Sequence, residues 1–345
     1  MLTQVAGRCL LIGMVILLIG GPVRADDDCG RGNAGEPVKL AVEFMDHAAA
    51  VFISREKGWF EAAGLNVKSY ETYVTGMSLA SALARGDIDA AYICLVPAVN
   101  AYKNAGVPLK IVAGTHKHGY GLVTRGDTVS SPEDLRKPGV RIGCVREGGA
   151  VDVLLRKTMD EYGLAADEVL PQVQRMPPAK QVMALQMKQL EAVFLPEQWA
   201  TMAESGGGRM MLTSRDVWPR MQGSVLVVKE KLIREKPEVV RQLTAVLCRA
   251  TAWINRHPRE AAVLVAGQLR KVDGGSRRGL ASSARSAITP GVLARSMARM
   301  DFTTAIDPGE IQKMIDYMGR LGYIRETFPA RDILDLRFLN DERDQ

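Results

Sequence analysis

Two stretches, ALARGDIDAAY at residues 82–92 and ALQMKQLEAVF at residues 184–194, repeat the same pattern at an offset of 102 positions. In each stretch, the end of a predicted helix is followed by a short turn with an acidic residue, and then by an apolar predicted strand. The repeat indicates two α/β lobes of similar build. Because alanine and leucine are common residues, this interpretation also depends on the flanking sequence.

The flanking sequence alternates between predicted strands and helices. Strands are predicted at residues 38–44, 65–73, 88–96, 109–113, 121–124, 140–145, 192–195 and 224–228. This alternation favours βαβ units and a parallel sheet covered on both faces. Beyond the last strand, amphipathic helices are predicted to begin at Pro237 and Pro308, and residues 271–290 are predicted to be a loop.

The composition is that of an ordinary globular protein. The chain has 345 residues, of which 47% are hydrophobic and 24% are charged, and its net charge is +6. This length suggests about two domains. No run of five like charges occurs, so the excess positive charge is spread out and no nucleic-acid partner is expected.

Residues 1–25 resemble a cleaved secretory signal peptide. Arg8 precedes an apolar run over residues 9–21, and Val23 and Ala25 occupy the small-residue positions of a cleavage site. The apolar run is shorter than the roughly 20 residues that a membrane-spanning helix needs. The sequence therefore predicts a periplasmic protein without a stable membrane span. A single membrane anchor and lipidation at Cys29 stay open as alternatives.

The cysteines and histidines show no familiar metal or redox motif. Cys29, Cys94, Cys144 and Cys248 remain after cleavage and include no C-x-x-C pair, so their pairing stays open, with buried thiols favoured. His116 and His118 flank one lysine without a nearby third ligand, so no metal site is predicted.

Catalytic motifs are also missing. The chain has no G-x-S-x-G elbow, Walker loop, H-E-x-x-H motif or complete G-x-G-x-x-G motif. We therefore predict no catalytic residue and no cofactor. A pair of carboxylates that the fold brings together stays open.

The turns that follow the predicted strands are rich in small and polar residues. In open α/β sheets, ligands bind beyond the carboxyl ends of strands, where helix N-termini present free N–H groups. The candidate ligand-binding residues in these turns are Asp46, His47, Thr75, Gly76, Glu147, Gly148, Gly149 and Glu197. Asp46-His47 could instead be a plain polar loop, and Glu197 could simply begin a helix, where an acidic residue suits the dipole.

Several blocks of the sequence resemble one known family. EKGWFEAAGLNV at residues 56–67, ALARGDIDAA at 82–91, SPEDLR at 131–136 and the segment 184–197 are similar to blocks of the periplasmic substrate-binding proteins for nitrate, sulfonate, taurine and thiamine-precursor uptake. The resemblance covers residues 38–228 and, more loosely, the helical tail.

The resemblance implies a type II periplasmic binding protein with two lobes, the Venus flytrap fold, with C-terminal helices packed on lobe 1. Its segments are the signal peptide at residues 1–25, lobe 1 at 38–118, lobe 2 at 119–221, and a return to lobe 1 with C-terminal helices at 222–345. It also implies a monomer that delivers a small molecule to ABC permease and ATPase subunits.

The resemblance adds Leu95 and Val96 to the candidate ligand-binding residues, and we also include His118 at a strand end. Glu147 and Glu197 together would repel a small bare anion unless they are compensated. The predicted ligand is therefore a small polar organic molecule of the sulfonate, amino or pyrimidine type, with a preference for an N–H donor or a zwitterion. Alternatives are an enzyme on the same fold, similar to pyrimidine synthase or chorismate dehydratase, and a sensor domain.

Overall fold

The structure is a computed structural model that describes residues 37–67, 69–271 and 286–340. The predicted signal peptide and Cys29 lie outside these residues. The strands are β1 Lys39–Glu43, β2 Ser69–Tyr73, β3 Ala90–Cys94, β4 Leu109–Lys117, β5 Tyr120–Thr124, β6 Ile142–Cys144, β7 Val173–Arg175, β8 Ala192–Pro196, β9 Arg209–Thr213, β10 Gln222–Lys229 and β11 Asp301–Phe302.

The helices alternate with these strands and then dominate the C-terminal part. They are α1 Ala49–Glu56, α2 Trp59–Ala62, α3 Gly76–Arg85, α4 Leu95–Lys103, α5 Ala150–Glu161, α6 Ala166–Val169, α7 Pro178–Gln186, α8 Glu197–Ser205, α9 Ser214–Val217, α10 Glu230–Glu235, α11 Pro237–Arg256, α12 Pro258–Lys271, α13 Pro290–Met297, α14 Pro308–Arg320 and α15 Arg337–Asn340. Across the described residues, none of the helices combines the length and the apolar character that crossing a membrane requires.

The described strands form two sheets. One has the order β11-β4-β10-β3-β1-β2 and the other β7-β6-β8-β5-β9. Both sheets are mixed, because β10 runs antiparallel to β3 and β4, and β5 runs antiparallel to β8 and β9. The expectation of a wholly parallel sheet is therefore wrong. β5 and β10 are the first strands that the chain forms after leaving the other sheet, so each starts at the edge where its two antiparallel neighbours end.

The chain passes from the first sheet to the second between β4 and β5, and returns between β9 and β10. Both passages leave from the carboxyl ends of strands, so these edges of the two sheets face each other. Below, lobe 1 and lobe 2 denote the parts of the chain around the first and the second sheet. The boundaries predicted after His118 and Met221 stay predictions.

At the first passage His118 and Gly119 have φ values of 64° and 100°, and a Cβ on Gly119 would lie 2.7 Å from His47 Nε2.

The C-terminal helices pack on lobe 1, as expected. α11 and α12 contact α1, and the long apolar face of α11 is buried there. α13, which begins inside the region predicted to be a loop, packs against both α12 and α8 of lobe 2. One C-terminal helix therefore contacts both lobes, which the sequence did not indicate.

Candidate functional site

A cavity of about 420 Å³ lies between the facing edges of the two sheets. Its bordering residues come from both lobes: Glu43, Met45, Tyr73, Val74, Thr75, Gly76, Met77, Ser78, Ser81, Arg85, Cys94, Pro97, Tyr120, Val145, Arg146, Gly149, Ala150, Val151, Pro178 and Pro196. This is the edge at which open α/β sheets bind ligands, and the volume is in the range of small-molecule sites.

The N-termini of five of the described helices meet at this cavity. α3 and α4 of lobe 1, and α5, α7 and α8 of lobe 2, each place a residue from their first turn or their N-cap on its border. The first N–H groups of a helix have no intrahelical acceptor, and the helix dipole puts partial positive charge at this end. Five such ends around one space favour a negatively charged or hydrogen-bond-accepting group.

The floor of the cavity is polar and buried. Glu43 is 1% exposed; its Oε1 accepts a hydrogen bond from the Cys94 N–H at 2.9 Å, and its Oε2 accepts one from the Cys94 thiol at 3.0 Å. Burial raises the pKa of Glu43, and burial together with the neighbouring Glu43 raises the pKa of Cys94. Both groups therefore favour their neutral forms while nothing else binds them.

The Tyr120 hydroxyl also borders the cavity. Its side chain is 1% exposed, and the hydroxyl interacts with the neighbouring Cys94 thiol but makes no hydrogen bond of regular geometry with the described residues. Burial raises the pKa of this phenol, so it remains a hydrogen-bond donor at neutral pH. Because a buried hydroxyl is costly unless it makes a well-formed hydrogen bond, this hydroxyl is suited to donate to a solute atom.

The walls combine apolar side chains with two arginines. The lining is mostly apolar and includes methionine, valine and proline side chains. Arg146 is exposed and lies beside the N-terminus of α5, where its carbonyl accepts from the Gly149 N–H. Arg85 lies at the far end of the α3 face. Within the described chain, neither guanidinium has a hydrogen bond or an ion pair, so both are available to an anion.

Gly76 allows α3 to approach the floor. A Cβ at this position would overlap the Glu43 carboxylate and lie 2.6 Å from Pro97 Cγ. We expect Gly76→Ala to lower the free energy of unfolding by about 1–3 kcal/mol, because the added methyl group would overpack this contact between α3 and the floor. Gly267→Ala is the matched control: this α12 glycine has nothing within 4 Å of a built Cβ, so we expect a gain of up to about 1 kcal/mol. Urea unfolding of both variants checks the pair, and equal stabilities would contradict the close approach.

Some of the residues predicted from sequence border the cavity. Thr75, Gly76 and Gly149 do so, and Thr75 also caps α3 in a reciprocal pair with Ser78. Leu95 and Val96 lie in the first turn of α4, buried and outside the bordering set, between Cys94 and Pro97, which belong to it.

Gly148 and Glu147 lie next to the cavity without bordering it. The Gly148 N–H donates to Asp152, and its carbonyl accepts from Asn100 of lobe 1. Glu147 borders a second cavity beside the first and pairs with Arg156 at 2.8 Å. The Glu147 carboxylate is therefore compensated and is not directed at the main cavity.

The other predicted residues, Asp46, His47, His118 and Glu197, lie outside the border of this cavity, and their part in ligand binding stays a prediction. Asp46 accepts a hydrogen bond from Ser296, and Glu197 pairs with Arg299 at 3.0 Å. The cause is α13 and the residues after it, which pack against α8 and supply these partners from the C-terminal region. Glu147 and Glu197, on which the preference for a ligand with an N–H donor rested, are thus both paired with arginines, and that preference stays a prediction.

The two predicted histidines also have other partners. His47 Nε2 lies 2.9 Å from the Gly119 carbonyl oxygen, and His118 Nε2 lies 3.4 Å from an oxygen of Asp301. Burial lowers the pKa of both side chains. Neither ring borders the cavity, although His47 packs directly behind its floor, 3.6 Å from the Cys94 sulfur.

Glu43, Tyr120 and Arg146 border the cavity and were missed by the sequence analysis. Glu43 had a usable signal, since it is a carboxylate near the carboxyl end of an otherwise largely apolar predicted strand. Cys94 was predicted only as a buried thiol. The burial of Cys94 and Cys144 agrees with that prediction, and no disulfide joins Cys94, Cys144 and Cys248.

The two sheets with facing edges, joined by two passages of the described chain, define the two-lobed fold of type II periplasmic binding proteins. A ligand-binding component of an ABC-type import system from Staphylococcus aureus has the same fold, with a TM-score of 0.70 at 16% identity, covering 88% of this chain and 98% of that one. The alkanesulfonate-binding protein SsuA from Xanthomonas axonopodis gives a TM-score of 0.71 at 15% identity, covering 87% and 98%.

The chain belongs to the NMT1-like family, whose model matches residues 32–267. A Brucella abortus protein, named as a binding protein, is 30% identical over 227 residues, which are 64% of this chain and 67% of that protein. Both findings agree with the family that the sequence blocks resembled.

Proposed function

We propose that this protein is the exported solute-binding component of an ABC importer and that it captures a small organic anion between its lobes. The observation that carries the proposal is the convergence of helix N-termini from both lobes, together with Arg146, on one cavity. The names of the similar proteins, a binding protein in Brucella and import-system components among the solved structures, support the class. The predicted signal peptide supports export to the periplasm.

The lining of the cavity indicates the chemistry of the solute. The helix N-termini and Arg146 suit a carboxylate or sulfonate group. The apolar walls suit a short aliphatic or aromatic body, which a bare inorganic anion such as nitrate would leave uncovered. The Tyr120 hydroxyl suits a polar atom on the part of the solute that reaches the floor.

Capture requires the lobes to close over the solute and later to open, with the solute unchanged. Both passages of the described chain between the sheets are short, which suits hinge motion of one lobe against the other. The floor supports binding better than nucleophilic catalysis, because burial raises the pKa of Cys94 and the reactive form of a cysteine is its thiolate.

A matched pair of ligands tests the proposal on the chain from Asp26 onward. Ethanesulfonate and taurine share the two-carbon sulfonate and differ only in the terminal ammonium group that taurine adds. We expect alkanesulfonates and short carboxylates to raise the melting temperature more than taurine, nitrate or an aminopyrimidine. A ligand at 100 times its Kd adds about 2.7 kcal/mol to stability. A larger shift with taurine or the aminopyrimidine would restore the sequence-based preference, and release of a chemically altered product would replace the proposal with an enzyme.

Tyr120→Phe separates binding from folding. We expect the free energy of unfolding to fall by less than about 1 kcal/mol, because the hydroxyl loses only an irregular contact with the Cys94 thiol. The Kd for the best solute of the screen should rise about five- to tenfold, as expected for a lost hydrogen bond. Tyr102→Phe, which loses a hydroxyl bonded to the Asp332 carbonyl away from the cavity, is the control. Equal Kd values for wild type and Tyr120→Phe, measured by calorimetry, would remove Tyr120 from the site.

A further inference from the structure

We propose that Glu43, His47 and Cys94 form a binding site for one divalent metal ion of the zinc class on the floor of the cavity. Glu43 ends β1 and Cys94 ends the neighbouring parallel strand β3. His47 follows Glu43 by four residues, in the short 3₁₀ helix Asp46–Ala48. The ends of two adjacent strands and the turn after one of them thus bring the three side chains together.

The spacing of the donor atoms suits a single ion. Cys94 Sγ lies 3.0 Å from Glu43 Oε2 and 3.6 Å from His47 Nδ1, and all three donor atoms lie within 4.8 Å of one another. Tetrahedral zinc, with bonds of about 2.3 Å to sulfur and about 2.0–2.2 Å to nitrogen or oxygen, separates its donor atoms by about 3.6 Å. Small side-chain shifts would bring all three atoms to bonding distance.

The tautomer of His47 is the one that a metal site needs. Its Nε2 lies 2.9 Å from the Gly119 carbonyl oxygen, which can only accept, so Nε2 carries the hydrogen. The Nδ1 lone pair is then free and faces the Cys94 sulfur. A histidine that ligates a metal commonly donates its other N–H to a carbonyl in this way, which orients the ring. The Gly119 contact therefore serves as the outer support of the site.

Charge balance also suits a divalent cation. All three side chains are buried, with exposures of 1%, 2% and 4% for Glu43, His47 and Cys94. Binding would release the thiol proton that Glu43 now accepts, and any proton on the Glu43 carboxyl, to solvent. One thiolate, one carboxylate and one neutral imidazole then carry two negative charges, which a divalent ion neutralises in a buried place.

The site would leave one coordination position open. Glu43 and Cys94 border the cavity, whereas His47 lies behind its floor, so an ion held by these residues faces the cavity. Three protein ligands and one open position are the arrangement of zinc sites that take a water or another small ligand. A mixed sulfur, nitrogen and oxygen ligand set favours zinc or cobalt over magnesium or calcium.

Cobalt titration tests the site without any solute. The protein is first stripped with a chelator, then titrated with Co²⁺ while the thiolate-to-cobalt absorption is followed, and then with Zn²⁺. We expect one equivalent of cobalt to saturate the band and zinc to displace it. Cys94→Ser should abolish the band, and His47→Gln and Glu43→Gln should each weaken binding at least tenfold. Cys144→Ser, a buried thiol outside the cluster, should behave as wild type.

Several outcomes would overturn the inference. The inference is wrong if the wild-type protein gives no thiolate-to-cobalt band, or if the band persists in Cys94→Ser. Circular dichroism checks that the variants fold, and the wild-type result does not depend on them. Solute calorimetry on the stripped protein keeps this inference apart from the proposed function. A stripped protein that binds organic anions and no metal loses only the metal site, whereas one that binds cobalt and no organic anion loses only the proposed function.

Discussion

Arg299→Ala is expected to lower the free energy of unfolding by about 3 kcal/mol, since removing one partner strands a buried charge. The Arg299 guanidinium donates to Glu197 Oε1 at 3.0 Å and also pairs with Glu204 at 2.8 Å. The Glu197 side chain is only 1% exposed, whereas that of Arg299 is 24% exposed. The loss therefore comes mainly from the uncompensated Glu197 carboxylate rather than from the arginine.

The loss of stability in Arg299→Ala should depend on pH. Burial raises the pKa of Glu197, and the ion pair with Arg299 opposes that rise. Without Arg299 the folded-state pKa rises further above the ordinary value of 4.5, so the variant prefers a protonated Glu197. Stability is then retained at low pH and lost as the pH rises above about 4.5. Urea unfolding at pH 4.5 and pH 8 should show the larger deficit at pH 8.

Two further variants complete this test. Glu197→Gln combined with Arg299→Ala should recover part of the lost stability, because only the partly exposed Glu204 carboxylate, and no fully buried charge, loses its partner. Arg295→Ala, which loses a surface hydrogen bond to Ser205, should change stability by less than about 0.5 kcal/mol. An Arg299→Ala variant that is as stable as wild type but binds solute weakly would return Glu197 to the ligand site predicted from sequence.

Arg146→Glu should have the largest effect on solute binding, raising the Kd for an organic anion at least about 100-fold. A charge-assisted hydrogen bond contributes about 1.5–3 kcal/mol, and reversal adds repulsion at the place that the N-terminus of α5 makes favourable for an anion. Because the Arg146 side chain has no hydrogen bond or ion pair within the described residues, the change breaks no polar interaction in the folded protein. Stability should therefore stay near that of wild type.

Arg136→Glu is the matched control for this change. It makes the same charge reversal in lobe 2, at an exposed position outside the cavity border. Arg146→Ala should fall between wild type and Arg146→Glu, at about a tenfold loss. Calorimetry at low and at moderate salt would measure the Kd of each variant. The increase in Kd caused by the Arg146 substitutions should become smaller as salt screens the exposed guanidinium. If Arg136→Glu weakened binding as much as Arg146→Glu, general charge rather than this site would attract the anion.

The sequence predicted the two α/β lobes because their helices and strands follow local hydrophobic patterns. Helices were expected to begin at Pro237 and Pro308, and they do. The mixed strand directions were not predictable, since β5 and β10 look locally like the strands with which they pair. Their direction depends on where the chain enters the sheet, which is a property of the connection and not of the strand residues.

In the candidate site, too, some features followed from the local sequence and others only from the tertiary structure. Thr75, Gly76 and Gly149 border the cavity because a turn after a strand lies at the strand's carboxyl end whatever the rest of the fold does. Glu197 also begins a helix at that edge, but its carboxylate turns to Arg299, which is 102 positions away in the sequence. The sequence alone thus determined the α/β elements, the turns at their ends and the family. Only the tertiary structure decided which carboxylates are paired and which face the cavity, because charge partners are chosen by packing between distant segments, and local patterns carry no record of that choice.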